Sequence, residues 1–489
     1  MKFESSHVAA FCAASYDLNP LHTDAKYALR TQFGKPVIYG MAGVLWALGN
    51  WAEGRSFRLH SLHAVFRKPL FEGIEYEFAI QEVGDALTLR FYRGPVDYAV
   101  IRCKFEWATD ISISDIAPTT GFQPREAALE KAKTAEEKVA FSMKLDAFPK
   151  LKAAFGISQQ SFPVAQLSTL LWASYHVGME LPGKQALFSE FQVSFEADNT
   201  NATSISLDLA AAQFDDRFNR YVQTGKGKGI SQFRIVAFQR PEPVDFTIQE
   251  MPRFSEGTLP LDGKRVFISG ATRGFGAALA RMCALAGARL ALNYRGNAEK
   301  IASLVEELRK TGTEVHTFKA DMADDEAVHQ LSLAIKNTFD GLDFVFANAA
   351  PGIQNLQFLE QSNAEFQTFV GKNLAISLAT TRFLLPLMDE GGTFTQISSV
   401  YLTKPVAGFG HYLAAKAAQE TLMESLSLEF RDVAFVNARL PRILTDQTNL
   451  PFDFDPPSHP GKVAKSLILQ LASDEMQNYQ LLELPAIEE

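Results

Sequence analysis

The chain has 489 residues, 47% of them hydrophobic and 21% charged, with a net charge of -9 and a pI near 5.6. This length suffices for about two to four domains, and an acidic balance without a basic cluster argues against a nucleic-acid-binding protein. The three cysteines are too few and too scattered for a disulfide framework or a metal site, so we expect no metal and a reducing, cytoplasmic setting. No apolar stretch is long enough to span a membrane, and the apolar run at 8–14 lacks the basic start of a signal peptide.

A cluster of polar residues lies near the start of the chain, in SYDLNPLHTDAKYA (15–28). Within six residues it combines Asp17, Asn19, a turn-forming proline and His22, so a carboxylate and an imidazole could flank one water molecule. Adding or removing water across a double bond next to a thioester needs one group for the α-proton and one for the hydroxyl. We therefore predict that Asp17 and His22 are catalytic; the alternative is a helix-capping turn with a structural histidine.

The next predicted element is an apolar helix, MAGVLWALGNW (41–51), after a turn that ends in Tyr39 and Gly40. The backbone N–H of Gly40 or Met41 at the helix start could stabilise an enolate-like oxygen. Alternating residues in LHSLHAVFRKP (59–69) then predict a strand.

The first half of the chain contains an internal repeat at an offset of 129 positions. Without a gap it superposes Asp17 on Asp146, Pro20 on Pro149, Phe33 on Phe162, Gly49 on Gly178, Gly54 on Gly183 and Phe66 on Phe195. Each copy has an irregular lead-in, an apolar helix (164–178 in the second copy) and alternating strands such as ALFSEFQVSFEA (186–197). This predicts an α+β unit used twice, and two unrelated α+β segments are the alternative.

The second copy lacks the polar cluster of the first. At the same offset, Asn19 corresponds to Phe148 and His22 to Leu151. Leucine carries no proton, so we predict that the second copy is structural and shapes an acyl tunnel. Between the copies, residues 117–140 begin as a loop and continue as a charged segment, which predicts an exposed helix.

The D-x-N-P-x-H motif and the turn into the first helix resemble the MaoC-like hydratase/dehydratase branch of the hotdog fold, over about 110 residues. The resemblance implies a double hotdog in which Asp17 and His22 are catalytic and Asn19 orients the site. It also implies that FRKPLFEG (66–73) is a later strand. Tyr39 departs from the family, which often has histidine there. We expect a MaoC-like hotdog at 1–120 and a degenerate one at 121–250.

The clearest predicted domain boundary is the segment 240–264, which is rich in proline, glycine and charge. After it, short β-branched or aromatic runs alternate with amphipathic segments; the predicted strands are 265–270, 289–294, 314–320, 342–349 and 393–398. This alternation predicts an α/β domain over 255–489, with a doubly wound parallel sheet of the Rossmann type.

The segment SGATRGFG (269–276) follows the first of these strands and precedes a helix. Its glycines, Gly270, Gly274 and Gly276, allow bare backbone to approach a pyrophosphate at a helix N-terminus. At the end of the second strand, ALNYRGN (291–297) has no acid for a ribose 2′-hydroxyl, whereas Arg273 and Arg295 could neutralise a 2′-phosphate. This favours NADPH over NADH, and plain surface charge is the alternative for the two arginines.

Tyr412 and Lys416 are spaced i and i+4 in HYLAAKAAQE, so on a helix both side chains share one face. A phenol titrates near pH 10, and we expect the ammonium to lower that pKa so that the phenol can exchange a proton with a substrate oxygen. Ser399, which follows the strand 393–398, could hydrogen-bond the oxygen on which negative charge develops during hydride transfer.

The order of motifs in this region resembles that of the short-chain dehydrogenase/reductases over about 230 residues: the glycine loop, Asp321 in KADM, ANAA (347–350), Asn373, Ser399, YxxxK and LPRILT (440–445). The resemblance implies a catalytic tetrad of Asn373, Ser399, Tyr412 and Lys416. It also implies a cofactor site comprising Gly270, Thr272, Arg273, Gly274, Phe275, Gly276, Arg295, Asp321, Met322, Asn348, Tyr412, Lys416 and Ile443.

Two motifs depart from the family. The family's usual Asn-Asn-Ala-Gly motif is replaced here by ANAA (347–350). The family's usual Pro-Gly motif keeps its proline, but Arg442 replaces the glycine. By the resemblance, Arg442 would lie near the nicotinamide end of the cofactor and the substrate lid.

The closest resemblance is to 3-ketoacyl-thioester reductases, so we expect one enzyme with two activities: an NADPH-dependent ketoreductase and a 3-hydroxyacyl-thioester dehydratase. NADPH favours synthesis, hence intermediates on an acyl carrier protein in fatty-acid or polyketide assembly. The alternatives are an enoyl-CoA hydratase/3-hydroxyacyl-CoA dehydrogenase acting on coenzyme A thioesters and, in another class, a degenerate scaffold or binding module. We expect a homo-oligomer such as a dimer, with no nucleic-acid or membrane partner.

Overall fold

The computed structural model describes residues 1–108, 111, 122, 124, 136–158, 161–196, 204–450, 456–473 and 477–487. These residues form two compact units. The first contains Met1–Glu242, and the second contains Pro243–Asn449 with the described residues after position 455. Within the described ranges, no helix is both long and apolar enough to cross a membrane.

The first half of unit one surrounds an apolar helix. Three short helices, α1 (Ser5–Ser15), α2 (Pro20–Thr23) and α3 (Ala25–Leu29), precede the central helix α4 (Gly40–Ala52). The strands β1 (Phe57–Phe66), β2 (Glu77–Val83), β3 (Ala86–Arg93) and β4 (Val96–Trp107) follow. Ten of the thirteen α4 residues are buried, because small and apolar side chains occupy nearly its whole circumference.

The second half repeats this plan. It contains β5 (Glu137–Ser142), α5 (Phe148–Phe155), α6 (Val164–Tyr175), β6 (Ala186–Phe195), β7 (Ser204–Leu209), β8 (Gln213–Asp215), β9 (Arg220–Gly227) and β10 (Ile230–Gln239). The helix α6 continues into one π-helical turn, His176–Glu180. The strands β1 and β6 begin and end 129 positions apart, which is the offset of the sequence repeat.

One antiparallel sheet joins the two halves. Its strand order is β2-β3-β4-β1-β6-β10-β9-β7-β5, and β8 pairs with β9. The seam is the antiparallel pair β1–β6, in which Leu62 lies opposite Val193. The predicted double hotdog is confirmed.

Two local predictions in this unit are wrong. In the segment 66–73 only Phe66 belongs to a strand, the end of β1; Pro69 has no N–H to donate, and the remaining pairing consists of isolated bridges at Phe71 and Glu72. The end of the predicted exposed helix, 137–140, lies in β5 and pairs with β7. Residues 117–135 of that prediction lie outside the described residues, apart from 122 and 124.

Unit two alternates strands and helices. Its elements are β11 (Arg265–Ile268), α7 (Gly274–Leu285), β12 (Arg289–Tyr294), α8 (Ala298–Arg309), β13 (Val315–Lys319), α9 (Asp325–Phe339), β14 (Leu342–Ala347), α10 (Asn363–Leu384), β15 (Met388–Ser399), α11 (Gly410–Glu429), β16 (Val433–Leu440), α12 (Pro460–Leu471) and β17 (Tyr479–Glu483). All strand pairs are parallel, in the order β13-β12-β11-β14-β15-β16-β17. The strand order reverses beside β11, where ligands bind in doubly wound sheets. The predicted Rossmann-type fold is confirmed.

Candidate active sites

Asp17 is buried immediately after α1. Tyr16 ends α1 in a left-handed conformation (φ 58°), which turns the chain inward. The Asp17 carboxylate accepts hydrogen bonds from the Ser174 hydroxyl (2.8 Å) and from the backbone N–H of Asn19 (3.1 Å). Burial raises the pKa of this carboxyl to about 7, although both hydrogen bonds lower it. Asp17 can therefore carry a proton near neutral pH.

His22 presents one nitrogen to its surroundings. Its Nδ1 lies 2.6 Å from the carbonyl oxygen of Val37, which can only accept, so Nδ1 carries the proton and Nε2 is the free base. Burial lowers the pKa of the imidazole to about 4; the bond to Val37 raises it, and the charge of Arg240 lowers it further. The ring of Tyr39 lies against the imidazole, with centroids 3.9 Å apart and the ring planes tilted by 31°. His22 is thus a neutral, oriented base at neutral pH.

Asn19 connects this motif to the second half of the unit. Its Nδ2 donates to the carbonyl oxygens of Gly178 (3.0 Å) and Gly183 (3.2 Å), and its Oδ1 caps α2 by accepting from the N–H of Leu21. Tyr39 donates its hydroxyl hydrogen to the Asp17 carbonyl (2.6 Å). All polar atoms of the Asn19 side chain are engaged within the protein, which suits an orienting role.

A cavity of about 400 Å³ opens at these residues. Its polar wall includes Asp17, Asn19, His22, Gly40 and Ser174, and its apolar wall includes Phe33, Phe66, Leu70, Phe188 and Phe238. This size and lining are typical of sites for small organic ligands. Gly40 begins α4 without a side-chain cap, so its first turn offers backbone N–H donors beside the cavity. Met41, the other predicted donor, is fully buried in the core.

The corresponding positions of the second copy differ. Leu151, which matches His22, is fully buried in the apolar core, and Phe148, which matches Asn19, is also buried. Asp146 is exposed. Sequence reasoning nevertheless missed what this half contributes: Ser174 and Gly178, on α6 and the π-helical turn, contact Asp17 directly.

The glycine loop of unit two has the predicted geometry. Gly270 (φ 68°) and Gly274 (φ 54°) adopt left-handed conformations. A Cβ on Gly276 would lie 2.3 Å from the Gly270 oxygen, so only glycine fits there. Asn348 donates its side-chain amide to the Ser269 and Gly270 carbonyls (3.0 and 3.3 Å), which holds the ANAA segment against the loop.

The remaining predicted cofactor residues lie around this loop. Arg273 precedes α7 as its N-cap without a side-chain cap, so the α7 amides are available to an anion. Arg295 is largely exposed and pairs with Asp321, with Nη1 3.5 Å from Oδ2. Thr272 is partly buried, whereas the side chains of three others, Phe275, Met322 and Ile443, are buried in the hydrophobic core. Arg442 donates to the Thr448 carbonyl (3.1 Å), a contact that glycine could not make.

The four tetrad residues come from α10, β15 and α11. The Asn373 side chain is buried, and its Nδ2 donates to the Phe369 carbonyl (2.9 Å). Its Oδ1 has no hydrogen-bond partner among the residues that the structure describes. The Ser399 hydroxyl hydrogen-bonds the Tyr412 phenol. Lys416 donates from Nζ to the Ile397 carbonyl (2.7 Å), and its Nζ lies 5.9 Å from the centroid of the Tyr412 ring.

The expected effect of Lys416 on Tyr412 is absent. Burial raises the pKa of Tyr412 to about 12, the bond to Ser399 lowers it, and the nearby Tyr401 raises it; Lys416 does not contribute. Burial lowers the pKa of Lys416 to about 8, and the charge of Glu420 raises it. The distance explains the difference, because the ammonium is directed to a backbone carbonyl. Tyr412 therefore remains a phenol at neutral pH.

Sequence reasoning also missed a buried chain of amides beneath the tetrad. Gln419 donates to the Asn373 carbonyl (3.1 Å) and to the Ser377 hydroxyl (2.7 Å), and Ser377 donates to Gln396 (3.0 Å). Gln396 in turn donates to the carbonyls of Ala347 (3.2 Å) and Ile397 (3.1 Å). The chain connects Asn373 to the carbonyl that holds Lys416.

Comparison with known proteins gives the family. Residues 264–449 match the model of the short chain dehydrogenases, and residues 1–93 match that of the MaoC-like domain. An uncharacterized oxidoreductase of Mycobacterium tuberculosis is 33% identical over 184 residues, which are 37% of this chain and 69% of that protein. The chain belongs to the short-chain dehydrogenase family. It also carries a MaoC-like domain, so both predicted resemblances are confirmed.

Other relatives include 3-oxoacyl-[acyl-carrier-protein] reductase FabG of Staphylococcus aureus, 29% identical over 193 residues, which are 38% of this chain and 77% of that protein. The 3beta-hydroxysteroid dehydrogenase 1 of Eggerthella lenta is 30% identical over 200 residues, which are 40% of this chain and 76% of that protein. A solved alcohol dehydrogenase from Thermococcus sibiricus, complexed with 5-hydroxy-NADP, is 25% identical, with a TM-score of 0.42 over 46% of this chain and 97% of that chain.

Proposed function

We propose that this chain reduces a 3-ketoacyl thioester with NADPH in unit two and dehydrates the resulting 3-hydroxyacyl thioester in unit one. The observation that carries the proposal is the pair Asp17 and His22: one cavity is lined by a carboxyl that holds a proton near pH 7 and an imidazole that is a free base. These are the two proton-transfer groups that β-elimination of water needs. The proposed domains are those that the sequence predicts: a MaoC-like hotdog at 1–120, a degenerate hotdog at 121–250 and a reductase at 255–489.

In the dehydration, His22 Nε2 removes the α-proton of the 3-hydroxyacyl thioester, and the Asp17 carboxyl protonates the leaving hydroxyl. The Cα–H and Cβ–O bonds break, the double bond forms and water leaves. The backbone N–H of Gly40, which lines the cavity, stabilises negative charge on the thioester oxygen, whereas the buried Met41 does not reach it. The apolar wall of the cavity accommodates the acyl chain.

The residues of unit two fit a dinucleotide. The cradle at Gly276 has no room for a Cβ, and the uncapped start of α7 offers N–H donors to a pyrophosphate. Arg273 and Arg295 would hold the 2′-phosphate of NADPH, which supplies the hydride when bound. Gly270, Thr272, Gly274, Phe275, Asp321, Met322, Asn348 and Ile443 would border the cofactor.

In the reduction, Tyr412 donates its phenolic proton to the carbonyl oxygen of the substrate. A pKa of about 12 suits this step, because the alkoxide that forms is a much stronger base than the phenolate. Ser399 hydrogen-bonds the same oxygen, and Asn373 and Lys416 keep the surrounding helices and strand in place.

We infer that the thioester is carried by an acyl carrier protein in fatty-acid or polyketide assembly, as the name of the Staphylococcus aureus relative suggests for that protein. Coenzyme A thioesters, in the direction of hydration and oxidation, are the second candidate. A homo-oligomeric state and a cytoplasmic location stay predictions.

One experiment tests the proposal. The chain is incubated with NADPH or NADH and a 3-ketoacyl thioester on each carrier, and the products are identified by mass. We expect a gain of two hydrogens followed by loss of water, faster on the carrier protein, and at least about tenfold higher kcat/KM with NADPH, equivalent to about 1.4 kcal/mol. Product on neither carrier would refute the function, and equal use of NADH would refute the roles of Arg273 and Arg295.

A further inference from the structure

A buried carboxylate lies one helical turn after Lys416 on α11. Glu420 is 7% exposed. Its Oε1 accepts from the Ser398 hydroxyl (2.5 Å) and from Arg439 Nε (2.9 Å), and its Oε2 accepts from Arg439 Nη2 (2.7 Å). Glu420 thus joins three elements, α11, β15 and β16.

The position of Ser398 makes this contact relevant to the tetrad. Ser398 lies between Ile397, whose carbonyl accepts from Lys416 Nζ (2.7 Å), and the tetrad residue Ser399. On the neighbouring strand, Arg439 lies opposite Ser398 in the parallel pairing of β15 and β16. The end of β15 that carries both groups is therefore tethered to α11 at the residue between them.

Arg439 extends the tether beyond the strand. Its Nη1 donates to Thr403 Oγ1 (3.0 Å), and the Thr403 hydroxyl donates to Glu483 (2.9 Å). Thr403 follows Ser399 in the short turn that leaves β15. The chain is therefore attached to the Arg439–Glu420 pair both before Ser399, through Ser398, and after it, through Thr403.

Stability alone does not account for such a pair. Replacing a buried ion pair by apolar residues of similar volume is often neutral or stabilising, because desolvation offsets the attraction. We propose that Glu420 and Arg439 are positioning residues of the reductase: they hold the end of β15 against α11 and so fix Ser399 and the carbonyl that anchors Lys416. This inference rests on the proposed reductase function.

The charge of Glu420 also acts on Lys416. Burial lowers the pKa of Lys416 and Glu420 raises it. Other titratable or charged groups around this helix face, among the described residues, are Tyr412 and Glu424 on α11, Tyr401 after β15, Arg439 on β16, and Tyr479 and Glu483 on β17. Removing the carboxylate charge should lower the pKa of Lys416, so that Lys416 loses its proton at a lower pH.

The double variant Glu420→Leu/Arg439→Leu tests positioning. We expect kcat for ketone reduction to fall at least about tenfold, while KM for NADPH and thioester changes less than about twofold and Tm is unchanged or higher. The matched control is Arg281→Leu/Glu307→Leu, which removes another partly buried pair (2.6 Å) between α7 and α8. The control should keep wild-type kcat. Wild-type kcat in the Glu420/Arg439 variant would overturn the proposal.

The single variant Glu420→Gln covers the case in which the double variant does not fold. Its amide keeps the size of the side chain and an acceptor for Ser398. Because the Lys416 ammonium anchors the Ile397 carbonyl beside Ser399, kcat should fall as Lys416 loses its proton. We expect this alkaline limb of the kcat profile to lie at lower pH in Glu420→Gln, and Glu420→Asp to restore part of the difference. An unmoved limb contradicts the proposal.

A measurement without cofactor separates this inference from the proposed function. The titration of Lys416 is followed by ¹³C NMR of the lysine ε-carbons, with the resonance assigned by its loss in Lys416→Met. The pKa of Lys416 should be lower in Glu420→Gln than in the unsubstituted chain. If the unsubstituted chain reduces no ketone, the proposed function fails. The role of Glu420 is tested separately: it is overturned if the Lys416 pKa is the same in Glu420→Gln as in the unsubstituted chain.

Discussion

Burial displaces the pKa values of Asp17 and His22 in opposite directions. The carboxyl, with a pKa of about 7, still holds its proton in part of the molecules at neutral pH, and the imidazole, with a pKa of about 4, is unprotonated there. A carboxyl that would be ionised in water is thereby partly protonated near neutral pH, and an imidazole that would be partly charged in water is neutral. Such a pair supplies the acid and the base that an elimination needs. The assignment of acid and base follows from these environments rather than from the residue types.

This assignment predicts the pH dependence of dehydration. The kcat/KM should fall as pH drops through about 4, because His22 gains a proton, and as pH rises through about 7, because Asp17 loses one. Ser174→Ala removes a hydrogen bond that lowers the Asp17 pKa, so the alkaline limb should move to higher pH. The control is Thr169→Val, which removes a buried hydroxyl on α6 that donates to the Ala165 carbonyl (2.8 Å). A limb that stays in place in Ser174→Ala would contradict the role of that serine.

Tyr412→Phe should abolish ketone reduction. The variant lacks the phenolic proton, and loss of a positioned acid costs about a hundredfold or more in rate. NADPH oxidation measures the rate, and a fluorescence titration should find NADPH binding unchanged. Tyr401→Phe is the control, since it removes a neighbouring phenol outside the tetrad. Normal turnover in Tyr412→Phe would exclude Tyr412 as the acid.

At the scale of elements, the segment after α1 in one hotdog half contacts the helix α6 and its π-helical turn in the other half. A Cβ at Gly178 would lie 2.4 Å from Asp17 Oδ1, so the π-helical turn brings bare backbone to the carboxylate. π-helical turns are rare and occur frequently at functional sites. The half that lacks Asn19 and His22 equivalents therefore still forms one wall of the site.

Gly178→Ala tests this contact. The added methyl group should displace the Asp17 carboxylate and lower kcat/KM for dehydration at least about tenfold. The double variant Asp17→Ala/Gly178→Ala should be no slower than Asp17→Ala, because the clash partner is gone. An additional loss in the double variant would mean that Gly178 acts through the fold and not through Asp17.

Elements whose signal is local were predictable from sequence. The DxNPxH motif, the glycine loop and YxxxK each lie within one turn or helix, and strand 289–294 was predicted with the bounds that β12 has. Ser174 was not predictable, since its bond to Asp17 joins residues 157 positions apart. Glu420 was also missed, because one acidic residue on a helix gives no sign of its Ser398 and Arg439 partners. The 137–140 helix prediction failed because charge pattern alone does not reveal pairing with β7.

At the scale of the whole molecule, the two sites lie in different compact units. Among the described residues, each unit has hydrophobic clusters of its own. In the proposed function, the product of the reductase is also the substrate of the dehydratase. Blocking the second site should therefore cause the first product to accumulate.

His22→Ala tests this arrangement. The variant loses the base for the α-proton, so dehydration should slow by about a hundredfold or more, while NADPH oxidation hardly changes. From a 3-ketoacyl thioester it should accumulate the 3-hydroxyacyl thioester, identified by mass.

The control is Leu151→Ala, at the matching position of the second copy, which should not affect proton transfer. This substitution opens a cavity in the core and should lower Tm, so folding is checked by thermal melt before the rates are compared. Enoyl product at the wild-type rate from His22→Ala would mean that the N-terminal motif is a structural turn.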